Sequence, residues 1–495
     1  MTIREQLNSI AEKRIIILDG AMGSVIQHLN LDEKSCRGSR FADHSVNLSG
    51  CSDLLCLTRP GAIGAIHDTY LEAGADIIET CSFNSTSISL SDYGLGHLSC
   101  EISAAAARIA RNAADKFSDS SKPRFVAGSI GPTSKGASLY PDVNDPGRRS
   151  ISWDELEAAY YDNARGLLDG GVDLFLVETI FDTLNAKAAL FAIGRLIEER
   201  NIDIPVIISA VVSGDSGRLL SGQSLEAFCI SALHVLPNGA PWAIGLNCSF
   251  HAPKLLPHLR LLSEIVPCYV CAYPNAGLPD KSGHYDETPK IMSSNIEPFF
   301  NEGLVNIIGG CCGSTPAHIS MIADKALEHE PRRIPRNPRI AADINSFSGL
   351  EPFYTRENTI CIDNAANSAM NDDLHKLIAK GEYEDAADTA RDMIEDGASI
   401  LNVETDDEKA LNNFLDYALM NPYAAKVPFM INSSRLNVLE AGLKRLQGRG
   451  LAGIVEEGDA DFGRKIKIIR SYGAVPVIRL IEDNSMRRFA VIANT

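Results

Sequence analysis

The sequence predicts an α/β protein: a (β/α)8 TIM barrel over residues 1–328, then a second, incomplete (β/α) barrel-like domain over 346–495. Three observations carry this. Eight short apolar runs recur along the first part of the chain, each followed by a stretch with helical spacing of its apolar residues. The runs are mostly continuous and not alternating, as expected of parallel strands covered by helices. No G-x-G-x-x-G follows the first run, which counts against an open dinucleotide-binding sheet.

The eight predicted strands are Ile15–Gly20, Ala75–Thr80, Phe125–Gly131, Leu174–Ile180, Val206–Val212, Ala243–Cys248, Cys268–Pro274 and Val305–Cys312. Amphipathic stretches such as Trp153–Leu168 and Ala186–Glu199 supply the intervening helices. Before them, Met1–Arg14 reads as a short charged helix and not as a signal peptide. Residues 329–345 form a linker in which Pro331, Pro335 and Pro338 alternate with Arg332, Arg333, Arg336 and Arg339. Proline at this density favours an extended spacer, with the arginines solvated. A second series follows, with strand candidates Thr359–Asn364, Ser399–Thr405, Pro428–Ser434, Leu451–Glu457 and Val475–Ile481. Five units are too few for a second barrel, so this part reads as a truncated barrel or a small open domain.

Composition narrows the function. The chain has 46 basic and 64 acidic side chains and a net charge of −18. That charge opposes binding to nucleic acid or to an anionic membrane surface. No apolar run is long enough to span a bilayer. A cytoplasmic location is expected, and twelve cysteines in a reducing compartment point to burial, metal binding or catalysis and not to disulfides.

In a barrel of this kind the reactive groups sit at the carboxyl ends of the strands. Those ends carry Asp19-Gly20, Glu79-Thr80, Glu178-Thr179, Asn247-Cys248, Pro274-Asn275 and the run Gly309-Gly310-Cys311-Cys312-Gly313. Cys248 ends strand six, and Cys311 and Cys312 end strand eight. Both strands are even-numbered and feed one side-chain layer. Three thiolates suit Zn²⁺ and leave its fourth position open, the catalytic pattern. The alternative is buried cysteines and a chance pair. An open three-cysteine zinc site points to alkyl transfer to sulfur, because a thiol in the fourth position is deprotonated by the metal. Asp19 and Glu178 are then candidates to accept hydrogen bonds from a substrate ammonium. The glycine-rich turn at Gly20–Gly23 is a candidate to offer backbone N–H groups to a carboxylate.

These residues resemble a known family. LDGAMGSVIQ at 18–27, ADIIET at 75–80, GSIGPT at 128–133, ETIFDTLNAKAA at 178–189, SGRLLSGQS at 216–224, GLNC at 245–248, YPNAGLP at 273–279 and GGCCG at 309–313 resemble the homocysteine-binding barrel of cobalamin-dependent methionine synthases. The resemblance implies zinc on Cys248, Cys311 and Cys312, homocysteine sulfur in the open position, and Asp19, Gly23, Glu178 and Asn247 as substrate contacts. Cys81 departs from the family, which has Asn there. SGLEPF at 348–353 resembles the start of the folate barrel of the same enzymes, but its functional runs have changed at Asn364–Asn367, at Asn402 and at Asn432. An amide pairs only partly with the N–H edge of a pterin, so folate is not expected to bind. No cobalt-ligating D-x-H-x-x-G run is present.

The expected function is therefore a homocysteine S-methyltransferase forming methionine, its methyl group supplied by methylcobalamin on a corrinoid-binding protein in trans. The alternatives are S-methylmethionine or another sulfonium donor, and a non-catalytic homocysteine- or zinc-binding regulatory relative.

Overall fold

The computed structural model describes residues 1–142, 144–214, 216–280, 283, 285–340, 345–355, 368–456, 458, 461–482 and 486–491. The first eight strands are β1 Ile16–Ile17, β2 Ile77–Glu79, β3 Phe125–Ile130, β4 Leu174–Ile180, β5 Val206–Ala210, β6 Ala243–His251, β7 Tyr269–Asn275 and β8 Ile307–Ile308. Each predicted run overlaps one of them, and β6 and β7 extend past the predicted ends to His251 and Asn275. All pair in parallel, in the order β1-β8-β7-β6-β5-β4-β3-β2. A parallel bridge between Leu18 and Ile77 joins the two ends, so the sheet is a mostly closed barrel.

Within each apolar run, alternate residues serve two different cores. Ile16, Leu18, Ile77, Ala127, Leu174, Leu176, Ile207 and Tyr273 pack together inside the barrel. Phe175, Val177 and Ile208 belong to the larger core under the surrounding helices. That double burial is why the runs are continuous in sequence. The amino-terminal helix Ile3–Ala11 begins with a capping box between Thr2 and Glu5. Its Leu7 and Ala11 join the interior cluster, and Asn8 accepts a hydrogen bond from the Trp242 indole at 2.7 Å. The helix thus closes the end of the barrel opposite the reactive groups.

The linker expectation needs one correction. Arg332 is not solvated: it is 4% exposed. Its guanidinium donates to the carbonyls of Ser263, Val266 and Cys268 at 2.6–3.1 Å. Five N–H donors in a fixed fork can serve several carbonyls at once, and here they fasten the chain to the turn before β7.

Beyond it, β9 Ser346–Ser348 and β10 Pro352–Tyr354 form a short antiparallel pair that the sequence reading missed. A five-stranded sheet follows: β11 Leu401–Glu404, β12 Phe429–Asn432, β13 Leu451–Glu456, β14 Val475–Glu482 and β15 Met486–Val491. The first four strands are parallel, and β15 runs antiparallel to β14. The βα rhythm therefore ends at β14, and no second barrel is seen among the described residues. The predicted strand Thr359–Asn364 and the run to Asn367 lie outside the described residues.

The sheet unit is seated on the barrel. Tyr472 packs on Phe191 and Trp153, with ring centroids 4.9 and 5.3 Å away. Lys187, buried in a barrel helix, donates to the carbonyls of Leu446 and Gly448 at 2.8 and 3.2 Å. Asp416, 3% exposed, accepts from Arg149 at 3.0 Å and Arg445 at 3.3 Å.

Candidate active site

The strand period of two builds the site. On β2, β3, β4, β5 and β7 the interior apolar residues are followed, two positions on, by polar ones. Ile77 leads to Glu79, Ala127 to Ser129, Leu176 to Glu178 and Ile207 to Ser209, while Cys271 leads to Tyr273. A polar layer thus caps the apolar interior at the carboxyl ends of the strands.

The three thiols gather at this mouth. The Sγ atoms of Cys248, Cys311 and Cys312 all lie within 4.8 Å of one another. Cys248 and Cys312 are 3.8 Å apart. Tetrahedral zinc with Zn–S bonds of about 2.3 Å separates its sulfurs by about 3.8 Å, so the spacing fits the metal. Two local features produce it. β6 runs past Cys248 through a bulge before His251, and Cys248 and Ser249 adopt left-handed φ values of 54° and 38°. A bulge re-aims side chains, and strained backbone of this kind concentrates at functional sites. The turn after β8 passes so close to β1 that a Cβ on Gly309 would lie 2.8 Å from the Asp19 carbonyl oxygen. The glycines of GGCCG therefore serve close approach as well as bending; Gly313, with φ of 81°, lies under the Tyr285 ring.

Hydrogen bonds from Cys248 and Cys311 hold the Cys312 thiol far below its ordinary range, at about 3, against the opposing effect of burial, and the Tyr285 phenol lowers it further. The same hydrogen bonds push Cys311 and Cys248 the other way, so without metal the three thiols share one thiolate, the form in which cysteine binds metal.

Three carboxylates face the same mouth. Asp19 is 1% exposed; its Oδ2 accepts from the Glu79 backbone N–H at 3.0 Å, and its Oδ1 has no partner. Burial, reinforced by the charge of Glu178, pushes its carboxyl well above the usual range. Glu178 accepts from the Ser129 hydroxyl at 2.5 Å. Burial raises its carboxyl to about 7, a shift that Ser129 and Tyr273 oppose and Cys312 adds to. Glu79 is pushed up by burial and by both neighbouring acids. None of the three has a salt-bridge partner among the described residues. A cluster of buried acids without a countercharge is a site for a cation.

The homocysteine S-methyltransferase family profile matches residues 16–326. This chain belongs to the homocysteine S-methyltransferase family. It is an enzyme of the zinc-dependent kind, and the gathered thiols fit that metal. Among solved structures, the metallated form of the homocysteine methyltransferase MmuM from Escherichia coli superposes with a TM-score of 0.50 at 22% identity, covering 65% of this chain and 99% of that one. Its oxidised form matches at 23% identity with a TM-score of 0.48, covering 63% of this chain and 96% of that one.

These findings overturn the expected identity with cobalamin-dependent methionine synthase, and with it methylcobalamin and a corrinoid-binding partner. The family matched over residues 16–326 is the homocysteine S-methyltransferase family, and the metallated MmuM structure shares the barrel fold. The reason is chemical. GLNC and GGCCG encode the thiol-activating centre, which specifies the methyl acceptor and says nothing of the donor.

The methyltransferase places the other predicted contacts as follows. Asn247 is buried, and its amide is fully engaged: Oδ1 accepts from Thr179 N and Ser209 Oγ, and Nδ2 donates to Thr179 Oγ1 at 2.8 Å and lies 3.9 Å from Cys311 Sγ. It braces the ends of β4 and β5 against Cys311. Gly23 lies in the first turn of the helix Met22–His28, which no side chain caps. Cys81 is buried, with Cys56 donating to its carbonyl at 3.4 Å. Asn402 and Asn432 lie buried on β11 and β12 of the sheet unit. Glu79, Ser129 and Tyr273 were not among the predicted contacts, although the parity that singles out Glu178 also selects each of them. No helix among the described residues is long and apolar enough to cross a membrane.

Proposed function

We propose that Cys248, Cys311 and Cys312 hold zinc, that homocysteine binds with its sulfur at the open side of this cluster, and that the methyl donor is a sulfonium such as S-methylmethionine. The observation that carries the reading is three thiols at zinc spacing beside buried, unpaired carboxylates. Zinc bound there supplies a substrate thiolate at neutral pH. Asp19 Oδ1 and Glu178 take the homocysteine ammonium, and Glu79 adds its charge. The uncapped first turn at Gly23 faces the α-carboxylate. Ser129 fixes Glu178 by donating to it, and Asn247 fixes Cys311.

In the transfer, a new C–S bond forms from the homocysteine sulfur to the methyl carbon, the thiol proton having left for solvent. The old S–CH₃ bond breaks, and its electron pair stays on the donor sulfur, which leaves as a neutral thioether. Such a leaving group needs no acid, and a sulfonium cation is drawn to a mouth rich in carboxylates.

Cobalt(II) substitution tests the arrangement. Homocysteine added to the cobalt-loaded protein is expected to intensify the thiolate-to-metal absorption as the third sulfur ligand is joined by a fourth. An unchanged spectrum at saturating homocysteine would sink the reading.

A further inference from the structure

A cavity of about 280 Å³ opens at the carboxyl ends of β2 and β3, on the same face of the barrel as the thiols. One wall is Gly50–Asp53, another is Phe83 and Asn84 after β2, and a third is Pro132–Ser134 after β3. Its size is that of an amino-acid-sized ligand. Asp53 is 4% exposed, and both of its hydrogen bonds, from Asn84 N at 2.7 Å and Ser85 Oγ at 3.4 Å, go to Oδ2. Oδ1 has no partner among the described residues. Among the described residues no lysine, arginine or histidine lines the cavity, while Asp92 stands at its rim and Phe83 and Tyr93 offer aromatic surface. A buried carboxylate with a spare oxygen, aromatic neighbours and no countercharge suits a small organic cation.

Hydrogen bonds tie the loops that wall the cavity to the acceptor site. Ser82 donates to the Ser129 carbonyl at 2.7 Å, and Ser129 holds Glu178. Beyond that pair, Gly131 N donates to the Phe83 carbonyl at 3.1 Å. The third wall is fixed as well. Asn185 donates to Thr133 and Lys135, and Asp182 accepts from Ser138. Arg149 bridges the Ala137 carbonyl to Asp416 of the sheet unit. The cavity is thus preformed, with the sheet unit bracing one side.

We infer that this cavity is the methyl-donor subsite and that Asp53 anchors the ammonium group of a cationic amino-acid sulfonium. The inference rests on the sulfonium reading above. Steady-state kinetics and calorimetric binding of S-methylmethionine to the zinc-loaded full chain test it. Asp53→Asn keeps an acceptor for Asn84 N and is expected to raise KM and Kd for S-methylmethionine by about 10-fold or more, with KM for homocysteine and zinc content unchanged. Asp92→Lys, at an exposed position, is expected to weaken the donor in the same way without touching the buried wall. Unchanged donor KM in both variants, or an equal rise in both substrates' KM, would overturn the assignment while leaving the parent reading intact. Wild-type protein that neither binds nor turns over S-methylmethionine would remove the parent reading and this inference with it.

Discussion

Substitution of Glu178 separates what the site needs from what the fold tolerates. The residue is 4% exposed, and burial pushes its carboxyl up to about 7. In the unfolded chain this glutamate titrates at about 4.5. Between these values the folded chain holds a proton that the unfolded chain has lost. Stability therefore falls as pH rises through the window, and the deficit is complete above about pH 7. A gap of roughly 2.5 pH units corresponds to about 3 kcal/mol. Glu178→Gln keeps an oxygen for Ser129 and removes the charge. Without metal or substrate, the variant should exceed wild type by about 3 kcal/mol at pH 8, a lead that shrinks to about 1 kcal/mol near pH 5. At about 2.1 cal/mol/K per residue over roughly 310 barrel residues, the lead at pH 8 is about 4–5 °C in thermal midpoint. The same variant loses an ionic partner for the homocysteine ammonium, so KM for homocysteine should rise about 10- to 100-fold at constant zinc content. Thermal melts at the two pH values and steady-state kinetics read both effects. A variant less stable than wild type at pH 8, or one with an unchanged homocysteine KM, would refute the reasoning.

Three further outcomes are expected. Cys311→Ala leaves two thiolates, too few for a tight zinc site, so metal content and turnover should fall together; one zinc per chain with turnover retained would refute the ligand assignment. Gly309→Ala puts a methyl group 2.8 Å from the Asp19 carbonyl oxygen and 2.9 Å from Leu18 Cβ, and should cost about 1–3 kcal/mol and weaken zinc retention in chelator competition, which wild-type retention would contradict. Asp416→Ala strips Arg149 and Arg445 of their shared buried partner and should lower stability to urea by about 3 kcal/mol; an unchanged midpoint would show that the pair does not fasten the sheet unit.

Much of the barrel was legible because its signal is local. A strand buried on both faces must be apolar at consecutive positions, and all eight such runs overlap strands. The thiol cluster was legible because even-numbered strands share a layer. Glu79 was named at the end of the second strand but given no role, and Ser129 was passed over, because single polar residues at strand ends have many structural uses. The burial of Arg332 was not legible, because its acceptors are backbone carbonyls of Ser263, Val266 and Cys268, which carry no sequence signature. The strand β15 escaped because Met486–Val491 carries two adjacent arginines and shows no continuous apolar run. The donor was misread because the motifs that carry the resemblance belong to the acceptor side.

The most direct measurement of the central claim is a labelled turnover. Zinc-loaded protein is incubated with ¹³C-labelled homocysteine and unlabelled S-methylmethionine, and the methionine formed is resolved by mass. The account predicts labelled and unlabelled methionine in equal amounts, both lost in Cys312→Ala. Absence of labelled methionine from protein shown to hold zinc would contradict it.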